Sequence, residues 1–261
     1  MDHSLWVAKT GLDAQQTRMS VIANNLANVN TTGFKKSQAS FEDLIYQNVR
    51  AAGGQTSQQT RAATGLEVGT GARLVATERD FSQGTLAQTD NALDVAITGR
   101  GFFQVLRPDG TTAYTRDGSF SLDSEGNLVT ASGYQILPGL TVPPGAQGLI
   151  IGQDGSVAVQ VDGSAVPQET GTLTLADFVN PGGLEAAGEN LYVETAASGA
   201  PQIGAPNADG LGALRQGALE SSNVNVVEEL VAMIETQRAY ELNSKAIETS
   251  DQMLAYVNNN L

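Results

Sequence analysis

The two ends of the chain carry apolar repeats with helical spacing, and these repeats constrain the fold more than any other feature. Near the N-terminus, steps of three and four residues connect a seam made of Leu5, Ala8, Leu12, Gln15, Met19, Ile22, Leu26 and Val29. Near the C-terminus, residues 225–257 contain no Gly or Pro. A row spaced seven residues apart comprises Val226, Met233, Tyr240, Ile247 and Leu254, with Leu230 beside it. Heptad spacing is typical of helices that pack against other helices.

The repeats predict two amphipathic helices that need helical partners. The C-terminal helix is roughly 50 Å long at about 1.5 Å per residue, and Asn225 followed by Glu228 resembles a capping box at its start. In the N-terminal helix, Asn24, Asn25 and Asn28 are poor helix formers, so packing must hold the last turns helical. We predict that these asparagines make polar contacts that only self-assembly satisfies. Gly33 is expected to follow the end of that helix, because glycine readily adopts positive φ.

Between the two helices, the sequence changes to short alternating runs separated by turns. Leu93–Ile97 and Gly101–Leu106 are strand patterns, and the second is expected to run back as Thr111–Thr115 in a hairpin. Turns about ten residues apart favour an antiparallel β domain. Aromatic residues make up 5% of the chain, so the core is expected to be aliphatic rather than built from stacked rings. Ala196–Gly217 is rich in Ala, Gly and Pro and is predicted to be a linker.

These patterns predict an α+β fold in which long N- and C-terminal helices pair as a coiled-coil module and enclose a mainly antiparallel β domain. The predicted module comprises residues 1–30 and 225–261, and the predicted β domain comprises residues 71–215. Residues 31–70 are predicted to form an extended connector, which includes Gly33, Phe34 and a polar insert from Gln47 to Thr64. The insert is too long for an ordinary loop, so it is expected to be functional or ordered by a partner. The alternative is an ordinary α+β domain whose terminal helices pack on its own sheet.

The composition excludes most chemistry. The chain has no cysteine, which rules out disulfides, thiolate metal sites and cysteine nucleophiles. Its single histidine, His3, is a poor basis for a catalytic or metal site. A net charge of −14 argues against nucleic acid and anionic membrane as partners. No apolar run approaches the roughly 18 residues of a spanning helix, and the pattern of a cleavable secretory signal is missing. We expect no enzyme activity, no cofactor and no metal.

Several stretches resemble the bacterial flagellar axial proteins, a family that includes rod, hook and hook-associated proteins. Ser4-Leu-Trp-Val-Ala-Lys-Thr-Gly-Leu12 and Ile22-Ala-Asn-Asn-Leu-Ala-Asn-Val-Asn-Thr-Thr-Gly-Phe34 are similar to the N-terminal motif of the family. Ser222-Asn-Val-Asn-Val226 and Gln237-Arg-Ala-Tyr-Glu-Leu-Asn-Ser-Lys-Ala246 are similar to its C-terminal motif. The stretch Asp94-Val-Ala-Ile-Thr-Gly-Arg-Gly-Phe-Phe103 resembles the core of its outer β domain. Within the family, chain length and the 47–64 insert favour the distal rod members. A sister proximal rod or hook subunit is the nearest alternative, and an exported glycan-binding protein is a more distant one.

The resemblance implies a structural subunit that polymerises into a rigid hollow shaft around an export channel. The terminal helices are then expected to form the inner tube, through Leu5, Leu12, Met19, Ile22, Asn25, Leu26, Asn28 and Val29 on one helix and Val226, Leu230, Met233, Tyr240, Ile247 and Leu254 on the other. The implied partners are other copies of the chain, other rod subunits, the hook protein, the surrounding P and L ring proteins and the rod cap. The implied location is the periplasm-spanning rod of the basal body, reached by type III export without a cleaved signal.

Overall fold

Two long helices bracket a series of short strands. The computed structural model describes residues 3–53, 63–143, 145–161 and 167–259. Helix α1 is His3–Ala27 and helix α2 is Val226–Asn259, so both predicted helices are confirmed. At the start of α2, the Asn225 side chain accepts a hydrogen bond from the Val227 N–H at 3.1 Å. This bond satisfies one of the amide groups that a helix leaves without a partner in its first turn.

The strands lie between the helices in the following order: β1 (Ser37–Asp43), β2 (Gln47–Arg50), β3 (Leu66–Val68), β4 (Ala72–Arg79), β5 (Leu86–Gln88), β6 (Val95–Thr98), β7 (Phe102–Leu106), β8 (Thr112–Thr115), β9 (Phe120–Leu122), β10 (Leu128–Thr130), β11 (Gln135–Ile136), β12 (Ala146–Ile151), β13 (Ser156–Val161), β14 (Gln168–Thr172), β15 (Leu175–Asp177), β16 (Glu185–Gly188), β17 (Leu191–Val193), β18 (Gln202–Gly204), β19 (Ala213–Gln216) and β20 (Ala218–Glu220). A single 3-10 turn, Pro181–Gly183, separates β15 from β16.

The chain divides into two compact units. The helical unit comprises residues 1–26, 37–78 and 225–261, and the β unit comprises residues 27–36 and 79–224. Strand pairs β1–β4 and β2–β3 are in or at the border of the helical unit. The unit boundaries differ from the three predicted segments, because most of the predicted connector is grouped with the helices.

The main sheet of the β unit has nine strands. Its order is β16-β17-β8-β7-β11-β10-β9, and β15 pairs with both β7 and β18. The predicted hairpin is confirmed, since β7 and β8 pair antiparallel with Val105 opposite Ala113. A second sheet, β12-β13-β14, and the pairs β19–β6 and β20–β5 complete the unit. Every strand register recorded for the described residues is antiparallel, as the sequence predicted.

Two clusters form most of the core of the β unit, and one of them corrects the expectation of a purely aliphatic interior. The larger cluster is mainly aliphatic, with Ile97, Leu128, Val157 and Leu175 among its members. The second contains Phe102, Tyr114, Ala176, Phe178, Leu184 and Tyr192. Its rings meet edge to face, with ring centroids 4.8 Å apart for Tyr114 and Phe178. Phe103 and Phe120 also meet edge to face in the larger cluster. Aromatic rings therefore contribute to both clusters, and such contacts add stability beyond burial alone.

The predicted linker Ala196–Gly217 is wrong, because this stretch contains strands β18 and β19. Leu214 of β19 lies opposite Ile97 of β6 and is buried in the larger core cluster. The Gly- and Ala-rich composition of the surrounding stretch hid a short strand that has a single large apolar residue, Leu214. Residues 196–217 therefore contribute two strands to the folded β unit and are not a linker.

The predicted position of Gly33 relative to the helix end needs a similar correction. Helix α1 ends at Ala27, so Gly33 lies well beyond it. Its φ is +68°, as predicted, but the physical reason is close packing inside the β unit. A Cβ at this position would lie 2.7 Å from the Asp117 nitrogen and 2.8 Å from the Arg116 carbonyl carbon. Only glycine fits where the backbone approaches this closely.

Candidate assembly surface

Within the helical unit, α1 and α2 make contact at two places that share one antiparallel register. A Cβ added to Gly11 would lie 3.1 Å from the Asn243 side-chain nitrogen. Fourteen residues further along α1, the Asn25 amide donates to the Glu229 carboxylate at 3.3 Å. Because Glu229 is also fourteen residues from Asn243 along α2, both contacts fit straight helices that run in opposite directions.

Asn25 joins three parts of the helical unit and is itself buried. Its Nδ2 donates to the Ser37 carbonyl at 2.8 Å, and its Oδ1 accepts from the Ser37 N–H at 2.9 Å. Together with the bond to Glu229, these contacts satisfy the side chain inside one chain. The expectation that this asparagine is satisfied only by self-assembly is therefore wrong.

The predicted assembly residues of α1 lie on one face of the helix. Leu5, Leu12, Met19 and Leu26 are half-buried, and Ile22 and Asn25 are buried. Asn28 and Val29 are half-buried in the turn that follows the helix, in the part of the chain that belongs to the β unit. The structure thus groups six of the eight residues on α1, and their role in assembly stays a prediction.

The predicted row on α2 is only partly turned inward. Met233 and Ile247 are half-buried, whereas Val226, Leu230 and Tyr240 are exposed. The side chain of Leu254 lies outside the described residues. The stripe that is least exposed runs through Glu229, Ala232, Met233, Thr236, Ala239, Asn243, Ile247 and Ser250. It contains both residues that contact α1. The heptad row included only Met233 and Ile247 of this stripe, because the other six members are small or polar.

Apolar side chains on the outside of α2 form a second surface. Val227 is 68% exposed, Leu242 is 70% exposed, and Val231 and Ile234 are each 51% exposed. In the described part of the helical unit, Ile22 is the one apolar side chain that is buried. The balance is opposite to that of the β unit, where most large apolar residues are inside. Several exposed apolar side chains on one helix are typical of a surface that binds another protein.

A cavity of about 690 Å³ opens between the helices and the strand region of the helical unit. Ala8 and Gly11 of α1, Gly69 and Gly71 near β3, and Ala246 of α2 contribute to its lining. Its walls are mostly apolar and made of small residues, so the helical unit is incompletely packed in this region. This is consistent with the exposed apolar surface on α2.

The predicted connector residues are separated between the two units. Gly33 and Phe34 are buried in the β unit. Gln47 is exposed at the start of β2 and Thr64 is exposed in a bend before β3. Of the predicted insert between them, residues 54–62 lie outside the described residues.

A buried charged cluster in the β unit was not predicted. Lys35 follows Phe34 directly, and its ammonium lies 2.6 Å from a carboxylate oxygen of Glu220. The guanidinium of Arg116 lies 3.4 Å from the other oxygen of Glu220. The only sequence signal was that Lys35 directly follows the N-terminal motif, which ends at Phe34.

Comparison with known proteins connects these features to a family. A family model described as flagella basal body rod protein matches residues 5–35. Models described as the flagellar hook protein FlgE/F/G D1 domain and the flagellar basal body rod FlgEFG protein C-terminal match residues 96–159 and 215–260. The flagellar basal-body rod protein FlgG of Buchnera aphidicola subsp. Schizaphis graminum is 59% identical over 96% of both chains. The chain belongs to the flagellar basal-body rod protein family.

Two relatives from one organism differ in their sequence identity to this chain. FlgG of Bacillus subtilis is 40% identical to this chain over 97% of both chains. The flagellar hook-basal body complex protein FlhP of the same organism is 31% identical over 99% of both. The chain is thus more similar to FlgG than to this related flagellar protein. No helix in the described part of this rod-family chain is long and apolar enough to cross a membrane.

Proposed function

We propose that the chain is a structural subunit of the distal rod of the bacterial flagellar basal body and has no catalytic role. Full-length similarity to FlgG proteins supports this assignment. The main observation behind the proposed assembly is that a single copy of the chain leaves apolar side chains of its helical unit exposed. Burying a side chain such as Val231 or Ile234 contributes about 1.5–3 kcal/mol. Contact between copies therefore supplies the packing that a single chain lacks.

In the proposed assembly, α1 and α2 pair as a coiled coil and neighbouring copies complete an inner tube around the export channel. The antiparallel contacts at Gly11–Asn243 and Asn25–Glu229 support such pairing. The β unit, with its own packed core, forms the outer part of the shaft. A rod of this kind transmits torque from the motor to the hook because every subunit is held by both units.

The remaining partners follow from the family likeness. They are other rod subunits, the hook protein, the surrounding P and L ring proteins and the rod cap. The proposed location is the periplasm-spanning rod, reached unfolded through the type III export channel and without cleavage. The sister-subunit alternative has less support, since similarity to FlgG exceeds that to FlhP in the same organism.

The assembly surface is tested by removing apolar groups that one copy leaves exposed. The double variant Val231→Ser, Ile234→Ser should fail to form rods in cells that lack the native protein. The purified monomer should keep its thermal stability within about 1 kcal/mol, because exposed side chains contribute little to folding. Electron microscopy of basal bodies and thermal unfolding of the monomer measure the two effects.

The matched control is a pair of exposed apolar residues in the β unit. Val179 and Ile203 are 77% and 59% exposed, so Val179→Ser, Ile203→Ser removes similar groups from the outer part of the subunit. This variant should still form rods. Normal rods from the α2 variant would contradict the proposed inner-tube contact.

A further inference from the structure

Three charged side chains are buried together in the β unit. The exposed fractions are 0% for Lys35, 1% for Glu220 and 4% for Arg116. Both oxygens of the Glu220 carboxylate are used, one by Lys35 at 2.6 Å and the other by Arg116 at 3.4 Å. Charged residues are almost never buried this completely unless they are paired.

Main-chain groups fix the position of each charge. The Gly84 N–H donates to the Glu220 carboxylate at 2.9 Å, and the Gly33 N–H donates to the Glu220 carbonyl at 2.7 Å. Lys35 also donates to the Ser82 carbonyl at 2.7 Å. Arg116 donates to the Gly99 carbonyl at 2.7 Å. The cluster therefore ties four separate stretches of the β unit to one carboxylate.

The two cations depend on that carboxylate. In the described part of the β unit, Glu220 is the one carboxylate within ion-pair distance of Lys35 or Arg116. Burial lowers the pKa of Lys35, and the neighbouring Arg116 lowers it further, while Glu220 opposes both effects. Without Glu220, closing the unit would require Lys35 either to stay charged beside Arg116 away from water or to lose its proton, and both are unfavourable.

The members of the cluster come from opposite ends of the unit. Lys35 lies in its first segment and Glu220 in its last strand, 185 residues apart, and Arg116 lies 104 residues before Glu220. We propose that the cluster is a charge lock that keeps the β unit open until its last strand, β20, delivers Glu220. The lock makes folding of the unit conditional on both of its ends.

The use of such a lock rests on the proposed function. A subunit that travels unfolded through a narrow channel must not fold while its chain is still passing. Nearly all members of the two core clusters lie between β6 and β17, so the apolar residues that drive folding precede β20 in the chain. Two buried cations without a counter-charge would oppose early closure, and the arrival of β20 would remove the obstacle. Whether the lock exists is a property of the isolated chain, so its test does not depend on rod formation.

A double-mutant cycle in the full-length monomer tests the lock. Glu220→Gln keeps the shape of the side chain but removes its charge, and should raise the open fraction of the β unit by about 100-fold or more. Lys35→Met alone should also raise it, because Glu220 loses its nearer partner. In the Glu220→Gln background, Lys35→Met should instead lower the open fraction by about tenfold, because one uncompensated cation is gone. Amide hydrogen exchange at Phe103 and Val105 of β7 measures the open fraction.

The reversal of sign separates a charge lock from ordinary packing. If Lys35 only filled space, Lys35→Met would have the same effect in both backgrounds, and that result would overturn the proposal. Exposed charges of the same unit serve as controls, namely Glu185→Gln on β16 and Arg215→Met on β19. Each control should change the open fraction by less than about threefold.

If Glu220→Gln unfolds completely, the double variant still tests the charge lock. In that case the double variant Lys35→Met, Glu220→Gln should regain a folded β unit, as judged by circular dichroism and resistance to protease. A double variant that stays unfolded would contradict the lock, because removal of the orphaned cation would then have no benefit.

Discussion

At the scale of single residues, the side-chain amide of Asn25 connects α1 to two other elements of the helical unit. Its oxygen accepts a hydrogen bond from the Ser37 main-chain N–H. Its nitrogen donates to the Ser37 carbonyl and to the Glu229 carboxylate on α2. The side chain is 2% exposed, so water cannot substitute for these partners. An asparagine in the last turns of a helix is unfavourable by propensity, and here the tertiary contacts offset that cost.

Replacing this amide should therefore weaken the monomer before any assembly takes place. Asn25→Leu leaves the N–H and carbonyl of Ser37 without their side-chain partners and should reduce the free energy of unfolding of the helical unit by about 1–3 kcal/mol. Thermal unfolding followed by helical circular dichroism measures the loss. The matched control is Gln16→Leu, which removes an exposed amide from the same helix. Equal stability of the two variants would show that the Asn25 contacts do not hold the unit together.

The residues that sequence reasoning missed were all missed for one physical reason. Lys35, Arg116 and Glu220 look like surface residues, since most charged side chains are solvated. Their burial depends on partners more than a hundred residues away, and no local pattern encodes such a pairing. The positive φ of Gly33 was predictable from residue type, but its cause, the approach to Arg116 and Asp117, was not.

At the scale of elements, strong periodicity made the helices and the main hairpin predictable. Helices α1 and α2 and the hairpin of β7 and β8 lie where the repeats and the turn Pro108-Asp-Gly indicated. Strand β19 was missed because Ala and Gly dominate its surroundings, and only pairing with β6 reveals its place in the core. The contact face of α2 was predicted in part, because Ala232, Thr236 and Asn243 carry no hydrophobic signal.

The helix register is testable by cross-linking, since the chain has no native cysteine. The Asn243 side chain lies against Gly11, so Gly11→Cys, Asn243→Cys should form a disulfide within one monomer under mild oxidation. The control, Gly11→Cys, Ser250→Cys, moves the second thiol two turns along the same face, roughly 10 Å away. It should cross-link far more slowly. Mass spectrometry of the oxidised monomers counts the bonds. Equal rates for both pairs would rule out a fixed antiparallel register.

At the scale of the whole molecule, the two units differ in where their apolar residues lie. The β unit buries aliphatic and aromatic clusters of its own. The helical unit leaves Val227, Val231, Ile234 and Leu242 exposed. A subunit built in this way folds one unit by itself and completes the other by association. Neither folding nor association requires a catalytic reaction, which agrees with the sparse catalytic signals of the sequence.

The insert predicted between Gln47 and Thr64 belongs to the unit that needs partners. Its described start, strand β2, is exposed at every position, and Val49 is 62% exposed. A two-stranded ribbon is only marginally stable alone. We therefore expect contacts with neighbouring subunits to stabilise the ribbon of β2 and β3 and to stiffen the rod.

Deleting residues 47–64 should then leave a subunit that still polymerises, but into curved, hook-like structures. The thermal stability of the β unit should not change, because the deleted residues lie outside it. Electron microscopy of the polymers measures curvature, and calorimetry of the monomer measures stability. A variant with a Gly/Ser linker of the same length separates the contacts of the insert from its length, and it should also give curved polymers. Straight rods from both variants would show that rigidity arises elsewhere in the subunit, with the paired helices as the next element to examine.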